Sequence, residues 1–546
     1  IVGINTYTGN DARGRIKSLR GCLNDADDIE RQVRRWQPAG LRRLGWDAAA
    51  RIEKPVTRAD IFGAWRETLA AAAPGDTVLF TYSGHGSQVE VAPGNPTNEA
   101  DGYDETLVLT GYSTSDGRDG EHILDDEIDQ MLAAAQANGI LVVFISDSCH
   151  SGTVFRSLDM SDTSYRFIQP APLSRAVGRA GPAATGERPR VLPNVLFLAG
   201  SQENEAVPEI VYEGQYRGAL SVGVARCLEA QAASSGIITA YDFAKQVLSK
   251  ARAVADNGHH PDVRWPAAAP PASPAGIRKA ATMVTERGSR ITRDTPIFTL
   301  RSTHPATTSV STAAADPTPV TLRIVGLGEA DQRRIVAGLD AARLAGEGDA
   351  AALVWDAERQ LILNDQRQRI AENVGAGGLQ HAVDRRLALD RLIRMENGLE
   401  LKILLSGRET PASDATHPPG TQFDIAIAGI PDQHYYCLFN LTGDGQVQLL
   451  EPSPRRAGER RGGMRKHERT EADITVKGIV VTREGPFGAE HVVAVSSELP
   501  LNGLVATLTA THNRYAVPTV MAALETTFAM QKPLGVGFRG IYSRRA

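Results

Sequence analysis

The sequence predicts an α/β protein in which a mainly parallel sheet flanked by helices occupies residues 1–265, followed by a small α/β module at 321–405 and a β-rich module at 406–546. Three observations carry this expectation. In the first half, short apolar runs alternate with amphipathic stretches, as they do where strands are joined by crossover helices. From 266 to 320 the composition turns to Pro, Ala, Thr and Ser, which marks a linker or an extended strap. The whole, 546 residues with 42% hydrophobic and 23% charged, is too long for one core and has the composition of a chain that folds.

Taken in order, the clearest strands are expected at 1–5, 76–83, 141–146 and 195–199, with helices at 25–36, 57–72, 125–137, 219–230 and 239–253. Thr57 precedes a run with Ile61, Trp65 and Leu69 four apart, so it reads as an N-cap in front of one apolar helix face. Beyond the linker, a strand is expected at 320–325, helices at 331–344 and 379–395, two strands within 352–364, and a strand at 399–405. Alternation at 423–427 and 435–440, with the turn Thr442-Gly443-Asp444-Gly445 before 447–450, gives the last module its sheet character. Gly326-Leu327-Gly328 sits between a strand and a helix, but Asp331 stands where a dinucleotide site needs its third glycine.

Lys plus Arg number 59 against 64 Asp plus Glu, a net charge of −5, so no global field draws the protein to nucleic acid or anionic lipid. The dense basic run at 455–469 has no interleaved aromatics and reads as a solvated loop. No apolar stretch reaches the roughly 20 residues of a membrane span, and the cytoplasm is the favoured compartment. The four cysteines, Cys22, Cys149, Cys227 and Cys437, lack the paired spacing of zinc or redox sites.

Chemistry concentrates in two strings. The predicted strand at 76–83 runs into Gly84-His85-Gly86, and the strand at 141–146 into Asp147-Ser148-Cys149-His150-Ser151-Gly152. Side chains at the carboxyl ends of neighbouring parallel strands converge on one crevice, so His85 and Cys149 can meet. A thiol with an ordinary pKa near 8.5 needs such an imidazole to ionise and to supply a proton to the leaving group. The amides of Gly86 and Cys149 are candidates for an oxyanion hole.

These strings, with Leu19-Arg20-Gly21-Cys22-Leu23-Asn24-Asp25-Ala26, Asp101-Gly102-Tyr103-Asp104-Glu105 and Leu124-Asp125-Asp126-Glu127, resemble the metacaspases and their bacterial caspase-like relatives over about the first 265 residues. The resemblance implies a caspase-like fold, a catalytic His85/Cys149 dyad without a third orienting residue, and cleavage of protein substrates after Arg or Lys. Carried over residue by residue, Cys22, Asp25, Ser83 and Asp147 would line the pocket for that side chain, with Glu203 or Glu205 as a further acidic contact. The chemistry agrees, since paired carboxylates hold a guanidinium well.

The resemblance also implies that no cofactor is required, with calcium as an activator to be considered at Asp104, Asp125 and Asp126. Arg156 stands at the fourth ligand position, with Asp159 as the nearest substitute, so a modest calcium effect is expected. The residues themselves allow another reading, in which these carboxylates cap a helix starting near Asp125. Between 155 and 194 lies a loop-like insertion with Arg166, Arg175, Arg179, Arg188 and Arg190, read equally as a site where an enzyme cutting after Arg nicks itself and as a solvated basic loop. Residues 321–546 are expected to regulate the protease or recruit substrate. A rival expectation makes the first domain a catalytically weak scaffold for partner-binding C-terminal modules.

Overall fold

The computed structural model describes residues 1–11, 14–90, 103–113, 121–149, 165–168, 192–200, 207–233, 237–254, 262–264, 291–292, 294–299, 318–346, 348–364, 368–396, 399–405, 407–409, 416–452, 474–482, 487–531 and 534–544. Glu203, Glu205, Arg156, Asp159, the basic run at 455–469 and most of the insertion and linker lie outside them. The chain divides into two compact units, one of 1–209, 217–247 and 261–307, the other of 210–216, 248–260 and 308–546.

The first unit is built on a five-stranded sheet in the order Val2–Gly3, Thr77–Ser83, Leu141–Asp147, Val195–Ala199 and Asp262–Arg264. The first four strands run parallel and the last is antiparallel. The central strand, Leu-Val-Val-Phe-Ile-Ser-Asp, is buried along its whole length, as a strand covered by helices on both faces must be. Its side chains alternate between two cores. Val142 and Phe144 join Trp65, Phe80 and Met131 on one face, while Leu141, Val143 and Ile145 join Ile29, Val224 and Phe243 on the other. Phe144 stacks between Phe80 and Phe197, with ring centroids 4.7 and 5.2 Å away.

Helices Cys22–Arg35, Arg58–Ala71, Asp125–Ala137, Ala219–Ala233 and Ala240–Val254 flank this sheet. Thr57 is an N-cap, and its partnership with Asp60 completes a capping box. A second, antiparallel sheet joins Gly86–Glu90, Tyr103–Val108 and His122–Leu124. Within the stretch expected as a linker, Pro296–Thr299 forms a strand against Ile237–Thr239.

In the second unit, one sheet runs in the order Ala342–Leu344, Val320–Val325, Leu353–Asp356, Leu361–Leu363 and Arg369–Ala371, and helix Leu379–Met395 contributes Leu379, Ala382 and Val383 to its core. The helix expected at 331–344 is shorter. It spans Glu329–Ala337 and is closed by Gly338; Ala341 at φ 52° then turns the chain into an edge strand. Two further sheets, centred on Glu400–Leu405 with Gln422–Ala428 and on Tyr435–Leu441 with Ala489–Ser497 and Leu534–Ser543, make up the C-terminal part. Helices Asn502–Ala510 and Val517–Met530, which alternation does not predict, accompany them.

Candidate active site

Sheet register brings the two candidate strings together. Ser83 pairs with Asp147 at the ends of adjacent parallel strands, so His85 and Cys149 each lie two residues past the same rung. Gly84 is obligatory at this exit, because a Cβ there would fall 2.4 Å from the Tyr82 hydroxyl. That hydroxyl lies 2.7 Å from the His85 carbonyl oxygen and 2.6 Å from that of Val108, pinning the turn.

The His85 ring is buried and lies 4.7 Å from the ring of Tyr7, whose hydroxyl accepts the His85 amide at 2.8 Å. Its Nε2 is 2.8 Å from the carbonyl oxygen of Lys17. A carbonyl can only accept, so Nε2 carries the proton and Nδ1 keeps its lone pair, buried and without a hydrogen-bond partner. Burial, helped by the positive charges of Arg166 and Lys17, lowers the imidazole pKa to about 4, so the ring is a neutral base across the physiological range. Cys149 is fully buried, and its Sγ accepts the Val207 amide at 2.8 Å.

The amides of Gly86 and Cys149, expected as oxyanion donors, both point at one oxygen. It is the carbonyl of Arg166, from the chain's own insertion, at 2.9 and 3.1 Å. The segment Tyr165–Ile168 lies along the site like an added strand, with the Arg166 amide donating to Val207 O at 2.9 Å and Tyr165 bridging antiparallel to Pro208.

The Arg166 side chain is completely buried in the predicted acidic pocket. Nη2 lies 2.6 Å from Asp25 Oδ2, while Nη1 lies 3.2 Å from Asp147 Oδ1 and donates to the Asp147 carbonyl at 3.1 Å. Asp25 Oδ1 accepts the Gly218 amide at 2.9 Å, and Asp147 Oδ2 accepts the amide and hydroxyl of Ser221 at 2.8 and 2.6 Å. Both carboxylates therefore rest on the start of helix Ala219–Ala233, where unpaired amides and the helix dipole favour negative charge. Ser83 reaches the same place through its hydroxyl, 3.1 Å from that of Ser221. Cys22 begins its helix with its amide on Asn5 Oδ1 at 2.9 Å, and burial raises its thiol pKa well above the ordinary value, against the pull of Arg166. Burial lifts the Asp25 carboxyl to about 7, with Arg166 opposing the shift and Asp147 reinforcing it.

Two contributors were not expected from the sequence. Glu209, buried, places Oε1 4.0 Å from Arg166 Nη2 while accepting the Gly21 and Arg20 amides at 2.6 and 2.9 Å. Among the described residues it is the acidic side chain after the Val195–Ala199 strand that faces the guanidinium; Glu203 and Glu205 lie outside them. Gly218 is the second. A Cβ there would lie 2.2 Å from Asp147 Oδ2 and 2.3 Å from Arg166 Nη1, so only glycine leaves room for a cation.

At the candidate calcium position, Thr106 pairs with Leu124 in antiparallel register, just before the helix that carries Asp125 and Asp126. Burial, then the Asp126 charge, raises the Asp104 pKa. Asp125 Oδ1 accepts the Asp126 amide at 2.9 Å at the start of its helix. Among the described residues, no three of Asp, Glu, His and Cys cluster tightly enough to hold a metal ion.

Residues 1–158 match a family model described as metacaspase, peptidase C14 domain. Metacaspase-1 of Saccharomyces cerevisiae is 26% identical over 288 residues, covering 46% of this chain and 63% of the yeast protein. Metacaspase-1A of Neurospora crassa is 31% identical over 195 residues, covering 35% of this chain and 39% of its own length. The chain thus spans less than two thirds of either relative, and both are fungal. Among solved structures, a Geobacter sulfurreducens protein aligns over 50% of this chain and 93% of its own at 24% identity, with a TM-score of 0.33. Caspase-1 of Spodoptera frugiperda aligns over 49% and 86% at 11% identity, with a TM-score of 0.29.

Proposed function

With residues 1–158 matching the metacaspase peptidase C14 domain, we propose that this protein is a cysteine endopeptidase that cuts after Arg or Lys, its own first substrate being the bond between Arg166 and Phe167. The observation that carries the reading is the pose of Arg166. Its carbonyl oxygen sits between the amides of Gly86 and Cys149 while its guanidinium lies between Asp25 and Asp147, as a substrate's residue before the cut would.

In this reading His85 Nδ1 takes the Cys149 proton and the sulfur attacks the carbonyl carbon. The oxygen, now negative, is held by the two amides. Collapse expels the amine of the next residue with the proton from His85, leaving a thioester. Water, deprotonated by the same imidazole, releases the acid and restores the thiol. Lys17 O keeps the ring in the tautomer that leaves Nδ1 available. A substrate Asp would face Asp25, Asp147 and Glu209 in a buried pocket, whereas Arg can satisfy two of them at once.

Calcium is proposed as at most a modest activator, since among the described residues Asp104, Asp125 and Asp126 do not gather into a metal-holding cluster, and residues 321–546 as the part that restrains the protease or selects its substrates. The test is a panel of fluorogenic peptides differing only before the cut, together with intact-mass analysis of the full chain. Arg and Lys peptides should be turned over and a fragment beginning at Phe167 should accumulate. Both activities should disappear in Cys149→Ala and His85→Ala. Full activity of Cys149→Ala, or a preference for Asp, would overturn the proposal.

A further inference from the structure

The same segment that fills the acidic pocket also continues past the bond to be cut. Since Arg166 O occupies the pair of amides, Phe167 and Ile168 stand where the two residues after the scissile bond of any substrate would lie. We infer that the enzyme has two apolar subsites on this leaving side and selects proteins in which Arg or Lys is followed by two bulky hydrophobic residues. The inference rests on the proposed Arg/Lys endopeptidase activity and deepens it.

Side chains of an extended segment alternate between faces. Arg166 and Ile168 share one face, and Tyr165 and Phe167 the other. Phe167 is buried in a small apolar cluster with Val207 and Cys149 itself, so the first subsite is walled by the nucleophile's own surroundings. Ile168, 2% exposed, belongs to the larger core that includes Tyr7, Leu107 and Tyr112. Its backbone is held as firmly as that of Arg166. The Ile168 amide donates to Gly86 O at 2.9 Å, and its carbonyl accepts the hydroxyl of the fully buried Ser87 at 2.8 Å. Gly86 therefore serves both sides of the cut, its amide on the carbonyl before the bond and its carbonyl on the second residue after it. When the Arg166–Phe167 bond is cut and the new N-terminus departs, Phe167 and Ile168 leave behind two dry, apolar spaces. A peptide carrying Gly or Asp there leaves the first unfilled or buries a charge in the second.

The test uses internally quenched peptides with the same residues through Tyr-Arg and then Phe-Ile, Gly-Gly or Asp-Asp, beside an Arg-coumarin substrate that has no residue after the cut. The proteins are the full chain and its Arg166→Ala variant. The Phe-Ile peptide should exceed both others in kcat/KM by at least about 100-fold, the lower end of what two buried apolar side chains are worth. Ser87→Ala should shrink its advantage relative to the coumarin substrate. Equal turnover of the three peptides, with the coumarin substrate cut, would overturn the subsites and leave the proposed activity standing. No turnover of any substrate by either protein would overturn that activity, and this inference with it.

Discussion

Replacing Arg166 by alanine separates the cleft from the segment that fills it. In the folded chain the guanidinium makes two charge-assisted hydrogen bonds, to Asp25 Oδ2 at 2.6 Å and to the Asp147 carbonyl at 3.1 Å. Such bonds are worth about 1.5–3 kcal/mol each. Together, on the order of 3–6 kcal/mol, they leave the pocket vacant in roughly one molecule in a hundred to one in ten thousand, and an outside ligand's affinity is weakened by that fraction. The clean assay is done in a Cys149→Ala background, where nothing is cut. A fluorescent Arg-terminated peptide, followed by anisotropy, should bind Cys149→Ala/Arg166→Ala about 100-fold more tightly than Cys149→Ala alone. The same substitution removes the cation from three buried carboxylates and should destabilise the protein by about 3–5 kcal/mol. The peptide should recover part of the lost Tm, because it binds only the folded state. Equal peptide affinity in the two proteins would refute the view that Arg166 competes for the pocket.

Gly218→Ala should lower kcat/KM for Arg peptides by about 100-fold or more in the Arg166→Ala background, since the new methyl group occupies the space of the guanidinium and displaces the Asp147 carboxylate; unchanged turnover would refute this. In the pH profile of the Arg166→Ala enzyme, the acid limb of Arg-peptide kcat/KM should lie at or above about 7, because Asp25 must be ionised to hold the cation. Its carboxyl is raised to about 7 even with Arg166 opposing the shift, and loss of that guanidinium raises it further, whereas His85, lowered to about 4, is already a neutral base. An acid limb lying near 4, or one that survives Asp25→Asn, would contradict the assignment. A chain ending at residue 265 should lose its cooperative melt in calorimetry. It would strip the fully buried Lys250 of Glu396 Oε2 at 3.1 Å and of the Glu396 and Ile393 carbonyls at 2.6 and 3.3 Å, and deprive Val211 and Tyr216 of their core. A sharp melt of that fragment would show that residues 210–216 and 248–254 do not depend on residues 308–546.

Where the sequence was legible, one residue type at one spacing decided the outcome. Leu141–Asp147 reads as a buried strand because a seven-residue apolar run has no polar face to expose, and Asp125–Ala137 reads as a helix from its acidic start and apolar spacing. The helix expected at 331–344 was overextended because Ala341-Ala342-Arg343-Leu344 has helical composition. Pairing of Ala342–Leu344 with Val320–Leu322 outweighed that propensity. The helices at Asn502–Ala510 and Val517–Met530, rich in Thr and Val, carry strand-like composition; only Pro518 at a first-turn position hinted otherwise. At the site, Asp25, Ser83 and Asp147 were nameable from motifs. Arg166 was nameable only as a place to cut, because its entry into the pocket depends on backbone pairing with Val207 and Gly86 that no local pattern encodes. The Lys17 contribution is a main-chain oxygen, which carries no side-chain signature at all.

The way the pocket's acids are anchored bears on how such a specificity could change over evolutionary time. Each of the three carboxylates has a second obligation to a peptide amide: Asp25 to Gly218, Asp147 to Ser221, Glu209 to Gly21 and Arg20. In the proposed reading, the acids that would select basic side chains also close off two helix starts. Exchanging any one of the acids for Lys or Arg, the obvious route to an enzyme that accepts Asp, would set a donor against a donor and leave a helix end unsatisfied in a dry interior. Inverting the charge preference therefore requires the helix starts to be rebuilt at the same time, and single substitutions along that path lead to unfolded chains before they lead to new specificity.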